Sequence, residues 1–296
     1  MNPGTLPQEF GRTRGRQRKT VNALMLSMCV VMTLLAVAPL LWILIYVIQK
    51  GGSVITWTFF THLPTPVGIP GGGIVNALVG SAETVGLGLV VSAPVAVLAA
   101  FYAASHPDSG LGLALRFATD VLSGVPSIVM GIFAYSLIVI PMRSFSAFSG
   151  GIVLGFIMLP TIIRTTEEML RLVPSSLREG SLALGAAEWR TSLSVLLPAA
   201  ANGVLTGVML AIARGAGEAA PMLFTAFGNP FFSTALNQPI ATLPLIIYTY
   251  AISPYSDWKA KAWGAALVLI VVVLLLNAAA RGLVWWRARR LGDQLR

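Results

Sequence analysis

Long apolar runs separated by short polar segments set the pattern of this chain. Residues 21–48 are almost continuously apolar, and further runs cover 74–104, 111–140, 148–163, 199–227 and 262–285. A helix needs about 20 mostly apolar residues to cross a hydrocarbon core about 30 Å thick. The pattern predicts an all-α, polytopic membrane protein with six transmembrane helices. The fourth run is the shortest, and charge interrupts the fifth. Residues 239–252 are also apolar, but the segment is short and framed by Pro239, Pro244 and Pro254. It reads as re-entrant or interfacial, which requires protein around its backbone polar groups.

The first run follows a basic stretch, Arg12, Arg14, Arg16, Arg18 and Lys19. That layout mimics a signal peptide, and Ala36-Val37-Ala38 resembles a cleavage site. Apolar residues continue through Ile45, too far for a signal core, so an uncleaved first span is expected. Six spans with an inner N-terminus place Arg116, Arg164, Arg171, Arg178, Arg190, Arg281, Arg287, Arg289, Arg290 and Arg296 on the same side as that basic stretch. Lys50, Arg143, Lys259 and Lys261 fall outside. The asymmetry agrees with the positive-inside rule and puts both termini in the cytoplasm. The expected division is a tail (1–20), a first helix (21–48), an outer loop (49–73), a core of five helices (74–285) with an inner loop at 164–197, and a second tail (286–296).

Composition supports this picture: 56% of residues are hydrophobic and 10% charged, against about 25% charged in ordinary soluble domains. The net charge of +9 would suggest nucleic acid in a soluble protein. Here the basic residues lie at chain ends and loops, so a lipid bilayer is the expected partner and nucleic acid is not. The single cysteine, Cys29, sits in an apolar run and is expected to be a small buried hydrophobe. None of the four lysines follows a glycine, so there is no G-x-x-x-x-G-K-[ST] loop for ATP. His62 and His106 fall in loops on opposite sides, and no metal-ligand spacing or nucleophile–base arrangement is visible. These features argue against an enzyme and against a cofactor or metal held by this chain.

Two segments carry chemistry. The inner loop 164–197 contains Glu179, Gly180, Ser181, Leu182, Ala183, Leu184 and Gly185, a short predicted helix closed by glycine. Leu177, Leu182 and Leu184 form its apolar edge, and Trp189 and Leu193 face a second short helix ending before Pro198. Such a helix either inserts into a groove on a cytosolic partner or merely lies on headgroups. In the fifth run, Arg214 stands 15 residues after Ala199, about 22 Å along a helix. Glu218 follows four residues later on the same face. The two are either a buried ion pair that fixes packing or groups on a transport path. Arg164 ends the fourth run with Glu168 four residues on, and is an interfacial anchor or a path residue. Arg116 and Asp120 are expected to neutralise each other on the third span, and Glu83 on the second to be structural or neutral. Gly151 with Gly155, and Gly203 with Gly207, suit close helix contact.

The run from Glu179 to Gly185 followed by Leu197-Pro198 resembles the E-A-A…G…L-P loop of bacterial ABC importer permeases, with Gly180-Ser181 in place of Ala-Ala. Four more segments resemble the PstA-type permeases of phosphate importers: residues 72–81, 124–133 (Gly-Val-Pro-Ser-Ile-Val-Met-Gly-Ile-Phe), 159–168 (Leu-Pro-Thr-Ile-Ile-Arg-Thr-Thr-Glu-Glu) and 213–221. The strongest is Ala213-Arg214-Gly215-Ala216-Gly217-Glu218-Ala219-Ala220-Pro221. The likeness covers about residues 72–283. Two features depart from it: Ala219 stands where the family more often has Thr, and Glu83 is outside the family pattern.

The resemblance implies the MetI-like permease architecture. It implies a channel half in the cell membrane that works with a second, similar permease, two ATPase subunits holding ATP and magnesium, and an extracytoplasmic phosphate-binding protein. Glu179 to Gly185 would be the helix that docks on the ATPase. Arg214, Glu218 and Arg164 would line the substrate path, with Glu218 holding Arg214 between transport events. A permease for sulfate, molybdate or phosphonate is the nearest alternative, followed by an ion-coupled secondary carrier or a pore-less signalling subunit. A secondary carrier is expected to show internal repeats, and none is visible.

Overall fold

Every apolar run becomes helix in the computed structural model, which describes residues 9–69 and 71–293. The expectations for Arg12, Arg14, Arg16, Arg287, Arg289, Arg290 and Arg296 fall on side chains outside this description. The chain divides after Lys50 into two units. The first is the body of α1 (Glu9–Gly52), one helix with Pro39 inside it. The apolar window of its Arg18–Gly52 part has no buried residue. Cys29 is therefore exposed, not buried as expected, because no other element of its unit covers it. Ser27 and Thr33 return their hydroxyls to the carbonyls of Leu24 and Cys29, so the helix satisfies its own polar groups.

The second unit runs α2 (Trp57–Thr61), α3 (Val75–Ser105), α4 (Gly110–Gly124), α5 (Ser127–Ala134), α6 (Ile140–Met142), α7 (Ala147–Arg171), α8 (Ser175–Ala183), α9 (Glu188–Thr191), α10 (Leu197–Ala216), α11 (Ala220–Thr225), α12 (Leu243–Ala251) and α13 (Ser256–Asp293). Among the described residues five helices are long and apolar enough to cross a membrane, or six if a bent pair counts as one. The bent pair is the third expected span: α4 and the helix over Ser127–Met142 meet at 105°. Pro126 causes the corner by forcing Val125 into extended backbone (φ −73°, ψ 128°).

Three other boundaries move. The fourth span does not stop at Ile163; α7 continues to Arg171, so the loop begins there and not at 164. Charge alone does not end a helix when its carriers find partners. The expected short helix before Pro198 is instead the start of one continuous helix, Glu188–Ala216. A wide turn at Ser192–Leu196 makes room for the proline ring. The fifth span does not reach Phe227; α10 ends at Ala216 and α11 restarts at Ala220 with Pro221 in its first turn.

α7 is the central element. α3 lies parallel to it at backbone contact: a Cβ on Gly88 would stand 2.9 Å from the Gly151 carbonyl oxygen, and one on Gly155 3.2 Å from that of Gly88. Further along, Ser92 Oγ meets Met158 Sδ at 4.0 Å. α10 runs antiparallel, with Gly203 under Met169, Gly207 under Thr165 and Gly215 under Met158. The expected close contacts of both glycine pairs are thus present.

The corner between α3 and α4 is fastened by Arg116. Its Nε donates to Glu167 Oε1 (2.6 Å), while its terminal nitrogens donate to the carbonyls of Pro107 (2.8 Å) and Ala103 (2.6 Å). Glu167 also accepts from Arg171 at 2.7 Å. Arg116 therefore does not pair with Asp120, as the i,i+4 spacing suggested. Asp120 is taken by Arg164 across the same helix interface, at 2.7 Å. A cross-helix partner serves both arginines better, because it ties two elements instead of one.

Two outcomes are expected from this packing. Gly88→Val separates α3 from α7 and abolishes monodisperse protein on size exclusion, whereas Gly86→Val, where a Cβ meets nothing within 4 Å, leaves the elution profile unchanged. Arg116→Gln leaves Glu167 short of a partner and costs about 2–4 kcal/mol, read as a lower Tm. Asp120→Asn, in a pair 58% and 59% exposed, costs at most about 1 kcal/mol.

Candidate functional site

Arg214 occupies the last turn of α10, where a cation faces the negative end of the helix. Gly217 caps that end, with its N–H on the Arg214 carbonyl at 3.1 Å. Glu218 thus lies beyond the helix, not one turn up the same face as expected. Arg214 Nε and Glu218 Oε1 are 3.9 Å apart, with side chains 48% and 19% exposed. This is an ion pair too long for a hydrogen bond, and among the described residues no hydrogen bond takes up the planar fork of Arg214.

The break is held from both sides. Gly215 packs under Met158 of α7, and a Cβ on Gly131 of α5 would come within 2.7 Å of Pro221. Glu218 borders a crevice of about 10 Å³, shared with Ser81, Thr84, Leu154, Thr242 and Pro244. That is room for about one water and not for an oxyanion. Thr242 is 2% exposed, and its Oγ1 has no hydrogen-bond partner among the described residues. The α11–α12 connection, drawn over α3 by the Leu243 N–H on Ser81 Oγ (2.7 Å), puts it there. Sequence spacing carries no signal for Thr242, because nothing along the chain brings residue 242 to residue 218.

Arg164 does not join this pair. The contacts of α7 with α10 put Arg214 near the level of Met158, and Arg164 stands six residues further along α7, about 9 Å. Arg164 bonds Asp120 and not Glu168, whose carboxylate has no partner among the described residues. Together with Arg116, Thr119, Glu167 and Arg171 these residues line a cavity of about 190 Å³. Glu83, half-buried on α3, keeps Oε1 buried and without a hydrogen-bond partner among the described residues.

The loop after α7 forms a knob. α8 covers Ser175–Ala183, so Glu179, Gly180, Ser181, Leu182 and Ala183 are helical, and Leu184 caps it. Gly185 closes it at φ +81°. The Gly185 N–H bonds the Leu182 carbonyl (2.9 Å) and the Ala186 N–H that of Ser181 (3.2 Å), a glycine stop that only a residue without Cβ enters freely. α8 is fastened to α9 by Arg178–Glu188 (3.1 Å) and by the Ser181 and Thr191 hydroxyls (2.8 Å). Leu184 is 91% exposed, and Leu177, Trp189 and Leu193 are also exposed, so the knob presents apolar side chains on a rigid support.

Comparison with known proteins agrees with this architecture. The family described as binding-protein-dependent transport system inner membrane component matches residues 96–292. The chain is 44% identical over 271 residues to the phosphate transport system permease protein PstA of Xylella fastidiosa (strain Temecula1), covering 91% of this chain and 94% of the relative. It is 42% identical over 267 residues to the PstA of Yersinia pestis, 90% of each chain. Among solved structures, a chain from an inward-facing form of the MetNI methionine ABC transporter shares the fold with a TM-score of 0.56 and 20% identity, over 71% of this chain and 95% of that one. The helices, the arginine-bearing break and these likenesses lead to one assignment: the chain belongs to the binding-protein-dependent transport system inner membrane component family, and within it to the PstA-type phosphate transport permeases.

Proposed function

We propose that this chain is the membrane-embedded permease subunit of an ATP-driven inorganic phosphate importer. The observation that carries the reading is the identity to phosphate permeases over nine-tenths of both chains. Phosphate would travel beside Arg214, whose planar fork suits tetrahedral oxygens. Glu218 holds the guanidinium while the path is empty and yields it when phosphate arrives, and Arg164 lies further along the same route. The narrow crevice at Glu218 fits a site that motion of α10 or α11 would widen. Work comes from elsewhere. A pair of ATPase subunits carrying ATP and magnesium would dock on the knob of Glu179 to Gly185. A second permease of the same kind would complete the channel, and a phosphate-binding protein would deliver cargo outside. Both termini would face the cytoplasm of a bacterial cell membrane. Sulfate and molybdate permeases are disfavoured because the relatives named above are phosphate permeases.

Uptake of ³²P-phosphate tests the path. Arg214→Gln is expected to lower uptake at least about 100-fold with subunit assembly intact. Near-wild-type uptake removes Arg214 from the path. Leu184→Asp is expected to uncouple the complex: the ATPase no longer co-purifies and uptake stops, while the chain itself keeps its size-exclusion profile.

A further inference from the structure

We infer that the cavity between α4 and α7 is a second, weak station for the transported phosphate, placed about 9 Å beyond Arg214 along α7. The inference rests on the function proposed above. Its walls carry cations and carboxylates in balance, and they differ in how fully they are used. Arg116 spends all three nitrogens on Glu167, Pro107 and Ala103 and is a fastening. Arg164 spends only one terminal nitrogen, on Asp120, in a half-exposed pair. Its remaining donors are uncommitted among the described residues, and so is the carboxylate of Glu168. The cavity therefore offers free donors and a free acceptor within about 190 Å³.

That mixture selects its occupant. Inorganic phosphate at neutral pH carries both bare oxygens and O–H groups. The oxygens accept from Arg164, and an O–H donates to Glu168. Sulfate and a lipid phosphodiester carry no O–H on the oxyanion, so each meets Glu168 as unrelieved repulsion. A headgroup offers the same tetrahedral oxygens, which is why the lining carboxylates decide between the two sources. Asp120 sets the strength. It occupies Arg164 when the station is empty and must be displaced by the anion, so binding is weak and release fast, as a conducting site requires.

The test uses the assembled importer in phosphatidylcholine nanodiscs, with Arg214→Gln present to silence the first site. Saturable ³¹P line broadening of added inorganic phosphate reports the second station. Asp120→Asn is expected to tighten that binding about five- to tenfold by removing the competitor. In the otherwise wild-type importer the same change lowers the maximal uptake rate by a similar factor while the apparent KM falls. Arg164→Gln is expected to abolish the broadening. Glu168→Gln, which breaks no ion pair, lets sulfate displace phosphate from the station where it could not before. Unchanged binding in Asp120→Asn, or broadening that persists in Arg164→Gln, overturns the station. So does retention of phosphatidylglycerol, seen by native mass spectrometry, in place of inorganic phosphate. Loss of uptake in the wild-type importer strikes the proposed function itself, and that control is read separately from the binding experiment.

Discussion

The backbone contact between α3 and α7 is the constraint on which the rest depends. In lipid, apolar side chains gain nothing by leaving one apolar surface for another, so helices adhere through close packing and polar contacts. Gly88, Gly151 and Gly155 supply the closeness here. On another face α7 receives Gly203, Gly207 and Gly215 of α10, and near its start Gly150 meets Met222 and Ala226. α7 thereby fixes the height of both arginines. Arg164 stands on it, and Arg214 is set by Gly215 lying under Met158.

Hydropathy made the existence of nearly every long element legible, because a bilayer-spanning helix must be apolar over a length that no other element needs. Its ends were less legible. Arg164 looked like an end because a charge usually marks the interface. Asp120, 44 residues away in the chain, neutralises it, and α7 continues for two more turns. Pro198 looked like a start, yet a wide turn absorbs it. Pro126 and Gly217 are real breaks inside runs that hydropathy reads as single spans. In each case the deciding partner or backbone geometry is tertiary, and a one-dimensional pattern does not contain it.

The candidate site divides in the same way. Arg214 and Glu218 were visible as charges where charge is costly, and glycine at 185 as the end of the projecting helix. The partners were not visible. Spacing paired Arg116 with Asp120 and Arg164 with Glu168, each within one helix. The structure exchanges them across α4 and α7, to Glu167 and Asp120. Matched i,i+4 ladders on adjacent helices always admit both pairings, and only the approach of the helices decides. Thr242 escaped notice because it is remarkable only for where the α11–α12 connection carries it.

The knob and the arginine-bearing break are two ends of one body. α8 is bonded to α9 through Arg178–Glu188 and Ser181–Thr191, and α9 runs on into α10. Glu188–Ala216 spans 29 residues, about 43 Å at the helical rise. Apart from the wide turn at Ser192–Leu196, which accommodates Pro198 and its missing N–H, this helix is continuous from beside the knob to Gly217. At Gly217 the chain leaves the helix that began at Glu188. The residue beside that end is Arg214, and the group across it is Glu218, at a distance already too long for a hydrogen bond. This charge pair therefore sits at the end of the rod, past the glycine contacts that pack α10 against α7. The segment Ala213-Arg214-Gly215-Ala216-Gly217-Glu218 thus places the longest ion pair among the described residues at the point where the helix that begins beside the knob ends.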